Sequence, residues 1–318
     1  MSLFERAARP GAEAGFAAAT AAMDAVAGQI GNRLTAVEKT LGELLLWMGD
    51  QVALTARSSI AEILAGPAFR DPKRLEPFGF KGYSQQDEDG ILAEIFRRIG
   101  VTSRRFVECG VGNGLENNTL YLLCQGWRGA WIDASAQSCV QIREKFAKPL
   151  GSGQLTLVED FIRAGNINTL LERAGIVGEI DLFSLDIDGN DYYVFDALEA
   201  IQPRAVVIEY NARFHPPVKL VQPYDANRLW DGTDYGGASL SALTSLAEHK
   251  GYRLVGTNLT GVNAFFVRND IALDRFCDNA GAAHLFNPAR YRLIPGFDAG
   301  HRANFGPYIT PEISSHDA

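Results

Sequence analysis

The sequence predicts a doubly wound α/β sheet of seven strands, mostly parallel, that closes on an antiparallel hairpin and follows an N-terminal helical segment. Three observations predict it. Apolar runs alternate with helical patterns from Arg105 onward, a glycine-rich turn leaves the first run, and only a short turn joins the last two runs.

The strand candidates are 105–109, 130–133, 155–158, 180–187, 205–210, 252–256 and 264–267. Helical stretches, among them 166–174, 193–200 and 240–250, separate the first six, as parallel crossovers require. The last two are joined through Leu259, Thr260 and Gly261, too short for a parallel crossover, so they pair antiparallel. A sheet with that ending is not the NAD fold.

At 318 residues, 47% hydrophobic and 21% charged, the chain can bury a sizeable core. Its formal net charge of −8, with no Lys/Arg block, argues against a nucleic-acid backbone as the main partner. Cys109, Cys124, Cys139 and Cys277 include no Cys-x-x-Cys pair, which argues against a thiolate zinc site or a disulfide framework. No secretory segment and no bilayer-length apolar run is found, so a soluble cytoplasmic protein without a transmembrane segment is expected.

Four regions follow: a helical segment 1–66, a linker 67–80 marked by prolines and charges, a cofactor domain 81–275 and a tail 276–318. In the first, Met23, Ala27, Ile30, Leu34, Val37, Leu41, Leu44 and Met48 alternate spacings of four and three, the seam of a coiled coil. A homodimer through that seam is expected. The other reading is an amphipathic helix lying on its own domain, since Gly28, Gly31, Gly42 and Gly49 weaken a free-standing helix. The mixed charges Glu38, Lys39, Glu43 and Asp50 do not suit a membrane surface.

The glycine turn reads Phe-Val-Glu-Cys-Gly-Val-Gly-Asn-Gly from Phe106, a helix-compatible stretch follows, and Asp133 ends the second strand. Gly110, Gly112, Asn113 and Gly114 let backbone approach a ligand, and Asp133 can hold two ribose hydroxyls. Glu108 would repel a pyrophosphate but welcome a cation, so S-adenosylmethionine fits better than NAD.

The loop, Asp133, the stretch Asp181-Leu-Phe-Ser-Leu-Asp-Ile-Asp-Gly-Asn-Asp191 and the closing hairpin together resemble class I S-adenosylmethionine-dependent methyltransferases. Tyr-Ser-Gln-Gln-Asp-Glu-Asp-Gly at 83–90 and Ile-Glu-Tyr-Asn at 208–211 look like the FkbM-type branch. The resemblance spans 82–270 and implies a methyltransferase Rossmann-like sheet and methyl transfer to oxygen, often on sugars or secondary metabolites. By that likeness Glu108, Gly110 and Gly112 line the methionine, Asp133 the ribose and Asp160 the adenine, with Ser84 and Gln85 at the cofactor carboxylate. Helix capping by Ser84 and a turn role for Asp160 remain open beside these roles.

Asp186, Asp188 and Asp191 end the fourth strand, and Glu209 and Asn211 the fifth. Asp186, Asp188, Glu209 and Asn211 are therefore candidate ligands of Mg²⁺ or Mn²⁺, and Asp186 a candidate for cofactor binding and catalysis as well. Turn formation by 188–191 is the alternative. Without a metal, His215 in the loop after the fifth strand is the candidate base; His301, from the tail, is another histidine that could fold over the site.

The segment from Arg213 to Tyr235 gathers Phe214, Tyr224, Arg228, Trp230 and Tyr235, either a substrate lid suited to a sugar ring or a satellite core. The expected function is an O-methyltransferase acting on a small-molecule or glycan hydroxyl. An NAD-dependent sugar-modifying enzyme and a non-catalytic cofactor-binding scaffold are the competing classes.

Overall fold

The computed structural model describes residues 10–298, 300 and 303–306; His301 lies outside them. The chain divides after Leu54 into two compact units. Helix α1 covers Pro10–Leu64, and its residues up to Leu54 make the first unit. The seam residues Met23, Ile30, Leu34, Val37, Leu41, Leu44 and Met48 are all exposed on the single chain. Its last turns belong to the second unit, where Ala56 and Ile60 abut Gly296 and Arg57 donates to the carbonyls of Gly296 and Asp298. No helix among the described residues is long and apolar enough to cross a membrane.

The second unit is built on seven strands: β1 Arg105–Cys109, β2 Arg128–Asp133, β3 Leu155–Glu159, β4 Gly178–Leu185, β5 Ile201–Glu209, β6 Tyr252–Thr257 and β7 Asn263–Arg268. Their order is β3-β2-β1-β4-β5-β7-β6. The pairs β1–β2, β1–β4, β2–β3 and β4–β5 are parallel, and β7 runs antiparallel to both β5 and β6. The predicted hairpin is there, with its second strand inserted between β5 and β6. This is the doubly wound, methyltransferase Rossmann-like sheet, and the order reverses between β1 and β4, where ligands bind in such sheets.

Both faces of the sheet are buried, which explains why its strands read as apolar runs. Val107, Ile132, Phe183, Val206 and Ile208 enter one core, while Phe106, Trp131, Leu182, Val207 and Phe265 enter the other. The crossovers carry α2 Glu88–Ile99 ahead of β1, then α3 Leu120–Cys124, α4 Ala136–Lys145, α5 Ala147–Gly151, α6 Ile167–Arg173, α7 Asp191–Asp196 and α8 Leu240–His249. Only α3 represents the helical stretch expected after the glycine turn, because the residues before it are spent in turns.

Two regions pack more closely than their composition suggests. Residues 67–80 are no linker: Leu75 is fully buried in the core, and Arg74 and Glu76 form a buried ion pair. The tail is held to that segment, since Asn287 donates to Glu76 at 2.9 Å and to the Thr257 hydroxyl at 3.1 Å, and Arg74 donates to the His284 carbonyl at 2.8 Å. Phe305 stacks on Phe146 at 4.6 Å.

At the opposite end of β4 from the candidate site, fully buried Asp181 collects the N–H groups of Thr102, Ser103 and Arg104 at 3.0, 2.8 and 2.7 Å and pairs with Arg204 at 2.8 Å. Removing one partner of a buried ion pair strands the other. Asp181→Ala should therefore cost about 3–5 kcal/mol in urea unfolding; a loss below about 1 kcal/mol would make the network dispensable.

Candidate functional site

The candidate site lies at the C-terminal ends of β1, β2, β4 and β5. Gly110 leaves β1 at φ +79°, and a Cβ there would stand 1.6 Å from the Asp186 carbonyl oxygen. Only glycine fits that approach. The N–H of Gly110 donates to the Ile132 carbonyl at 2.9 Å and that of Asp186 to the Cys109 carbonyl at 3.1 Å, which ties the ends of β1, β2 and β4 together. Asp133 accepts from the Gly112 N–H on one oxygen and the Ser135 N–H on the other, both at 2.8 Å. Each oxygen keeps a lone pair for a ligand hydroxyl. Asn113 accepts the Leu115 N–H at 3.0 Å and closes the turn, and Gly114, at φ +78°, rests on Trp131 and Phe146.

Several predicted residues serve the fold instead. Glu108 points inward, where it accepts the Asn118 N–H at 2.8 Å and the Thr119 hydroxyl at 2.5 Å, with the Ser184 hydroxyl at 3.4 Å. It fixes the turn that starts α3, and burial pushes its carboxyl up to about 7. Ser84 is buried and accepts the Asp89 N–H at 3.3 Å, but Asp87 stands at the N-cap of α2, and Gln85 is exposed. Asp160 accepts the Phe161 N–H at 2.9 Å and pairs with Arg173 at 2.6 Å, which holds its carboxyl below the usual range. Asn211 donates to the carbonyls of Asp234 and Gly236 at 2.8 and 3.0 Å and accepts the Arg213 N–H, so it pins the insertion and does not join the acids. His215 is exposed, its ring 4.7 Å from that of Phe286.

Three acids do come together. Asp186, Asp188 and Glu209 each offer a carboxylate oxygen, all within 4.8 Å of one another. Burial, then the neighbouring acids Asp191, Asp188, Glu108 and Glu88, raise the Asp186 carboxyl well above its ordinary value. Glu209 is raised likewise by burial and by Asp186, and Asp188 by burial. Asp191 differs, because it accepts the N–H groups of Ile187 and Gly189, both at 2.9 Å, and so builds the turn itself. Asp188 sits within that turn at φ +57°, a left-handed conformation uncommon outside glycine.

One group of residues escaped the role assignments. Glu88, buried at the start of α2, accepts from the side-chain amides of Asn258 and Asn263 at 2.9 and 3.0 Å and from the Gln86 N–H at 2.9 Å. Asn263 lies opposite Glu209 in the β5–β7 register. The signal available in the sequence was the polar series Asn258, Thr260 and Asn263 interrupting an otherwise apolar hairpin.

The insertion after β5 is tied to the domain at one end and exposed at the other. Its base is anchored, with Asn190 donating to the Asp225 carbonyl at 2.7 Å, Tyr193 to the Gln222 carbonyl at 2.9 Å and Arg163 to the Ala226 carbonyl at 3.0 Å. Its tip leaves Leu229, Trp230 and Tyr235 exposed.

No protein-family model matches the chain, and no curated protein matches it. Among solved structures, the glycopeptide N-methyltransferase MtfA complexed with sinefungin is 12% identical, covering 57% of this chain and 87% of that chain at a TM-score of 0.37. An S-adenosylmethionine-dependent methyltransferase from Clostridium acetobutylicum is 11% identical over 66% of this chain and 98% of that chain, at 0.36. The methyltransferase domain of bacterial CtHen1-C is 13% identical over 58% and 97%, at 0.35. Overlaps this partial leave the fold assignment resting on the strand order.

The buried acids give stability a pH dependence of known sign. Glu108, raised to about 7 by burial, holds a proton in the folded state that it has released in the unfolded chain above about pH 4.3. Its stabilising contribution is therefore complete at low pH and lost as pH rises through about 7. Glu108→Gln keeps the shape without the charge. Urea unfolding should show the wild type losing on the order of 3 kcal/mol more than this variant between pH 5 and 8, and equal slopes would assign the dependence to other acids.

Proposed function

We propose that the chain is an S-adenosylmethionine-dependent O-methyltransferase that acts on a hydroxyl of a sugar, glycan or secondary metabolite. The observation that carries this reading is a basin of acids without a counter-charge at the switch point. Among the described residues, Glu88, Glu108, Asp186, Asp188, Asp191 and Glu209 have no ion pair with Lys, Arg or His. A pyrophosphate would be repelled from such a basin, whereas a sulfonium and an ammonium would be attracted. The NAD-dependent reading fails on this point.

Asp133, with the Gly112 N–H at its side, would read the ribose hydroxyls. Asp186, Asp188 and Glu209 suit a hard divalent cation such as Mg²⁺ or Mn²⁺, because three carboxylates converge there and no protein donor hydrogen-bonds to them among the described residues. Such an ion would supply Lewis acidity to a hydroxyl held against it. S-adenosylmethionine would supply the methyl group to the substrate oxygen and leave as S-adenosylhomocysteine, and a basin carboxylate would take the hydroxyl proton. His215, turned to Phe286, is less well placed for that proton. The exposed rings of Trp230 and Tyr235 offer apolar faces to a sugar. The seam of α1 would join copies of the chain.

Calorimetric titration should show S-adenosylmethionine and S-adenosylhomocysteine binding and NAD failing to bind. Asp133→Ala should weaken cofactor affinity by roughly 1.5–3 kcal/mol, and unchanged affinity in the folded variant rejects this placement of the ribose. For the cation, Mn²⁺ titration followed by electron paramagnetic resonance should reveal one site that Asp186→Asn and Glu209→Gln each abolish. A protein that leaves Mn²⁺ free in solution has no such site.

A further inference from the structure

We infer that α1 assembles four copies of the chain into a parallel helical bundle, rather than the pair that the seam spacing alone suggests. The inference does not depend on the methyl-transfer reading. The alternating spacings of four and three fix the heptad: the interval of four from Met23 to Ala27 puts Met23 at d and Ala27 at a. Position a then holds Leu34, Leu41 and Met48, and position d holds Ile30, Val37 and Leu44, so the two central layers pair Leu at a with a β-branched residue at d. Two-stranded parallel coils favour β-branched residues at a and Leu at d. Leu at a with a β-branched residue at d is the reverse, and it favours three or four strands.

The width of the apolar stripe selects four. Leu45 at e, Trp47 at g and Val52 at e widen the seam on both sides of Leu44 and Met48, and Trp47 is 60% exposed on the single chain. A two-stranded coil buries little beyond a and d, whereas each helix of a four-stranded bundle faces two neighbours and buries e and g as well. Trp47 and Val52 are separated by five residues, the g-to-e′ spacing that meets across parallel neighbours.

Charge sets the orientation. Arg33 at g and Glu38 at e have the same separation of five, and neither is ion-paired within the chain among the described residues. A parallel neighbour brings one against the other, while an antiparallel one sets g against g and e against e. The helix also needs a partner, because Gly15, Gly28, Gly31, Gly42 and Gly49 each lower its intrinsic stability and touch nothing. A bilayer surface is a poorer occupant, with Asp24, Glu38, Glu43 and Asp50 around the stripe against Arg33 and Lys39.

Sedimentation equilibrium of the full chain at micromolar concentration should give the mass of four chains, and a mass of one or two overturns the proposal. Exchanging the two layers, Ile30→Leu and Val37→Leu with Leu34→Ile and Leu41→Ile, keeps every position aliphatic, with one methylene added at 37, and should reduce the assembly to two chains. A variant that stays tetrameric places the interface elsewhere and rejects the inference. Orientation is read by Leu44→Cys in a Cys124→Ser background, which removes the exposed native thiol. Mild oxidation should link copies through residue 44, since parallel helices bring identical d positions within disulfide reach, and a failure to link overturns the parallel arrangement.

Discussion

The geometry of the strand ends depends on one contact, the α-carbon of Gly110 against the carbonyl of Asp186. No side chain fits there, since a Cβ would overlap that oxygen at 1.6 Å. The approach lets β1 and β4 stay paired to their last residues, Cys109 opposite Leu185, before their loops part toward opposite sides of the switch point. One loop carries Gly112 to Asp133; the other carries Asp188 toward Glu209. A crevice flanked by Asp133 and a trio of acids follows from how two strands end.

What fills that crevice electrostatically sets it apart from the rest of the molecule. Three buried acids elsewhere are matched: Asp181 with Arg204 and three amides, Glu76 with Arg74, Glu94 with Arg98. At the strand ends Asp186 and Glu209 have no such partner among the described residues, and burial with the neighbouring acids displaces both carboxyls upward. Burying like charges together costs stability that a fold has no structural reason to give up. The same unmatched acids are what a cationic cofactor or a divalent ion needs.

Much of the sheet was legible because both of its faces are buried, so each strand appears as an apolar run, and because the turn through Gly261 is too short for anything but a hairpin. β5 begins earlier than its apolar run, at Ile201, because Arg204 is accommodated by Asp181, 23 positions away, and by the carbonyls of Gly100 and Ile99, 104 and 105 positions away. The same difficulty hid the packing of residues 67–80. Glu76 is satisfied by Asn287, and no local pattern announces a bond across 211 positions. Prolines and charges there look like a linker until the tail is laid against them.

At the site, residue type was more legible than direction. Asp133 and Glu108 both end adjacent parallel strands, yet Asp133 ties down the glycine loop while Glu108 turns inward to Thr119. Asp186 and Asp191 stand five positions apart in one acidic motif and have opposite fates. Two nearby N–H groups, those of Ile187 and Gly189, take both oxygens of Asp191, whereas Asp186 sits where β4 has just ended and its neighbours' N–H groups serve other acceptors. A carboxylate becomes available for chemistry where the backbone around it has no donor left to give. That condition is written in the hydrogen bonds of the turn, one level above the amino-acid sequence.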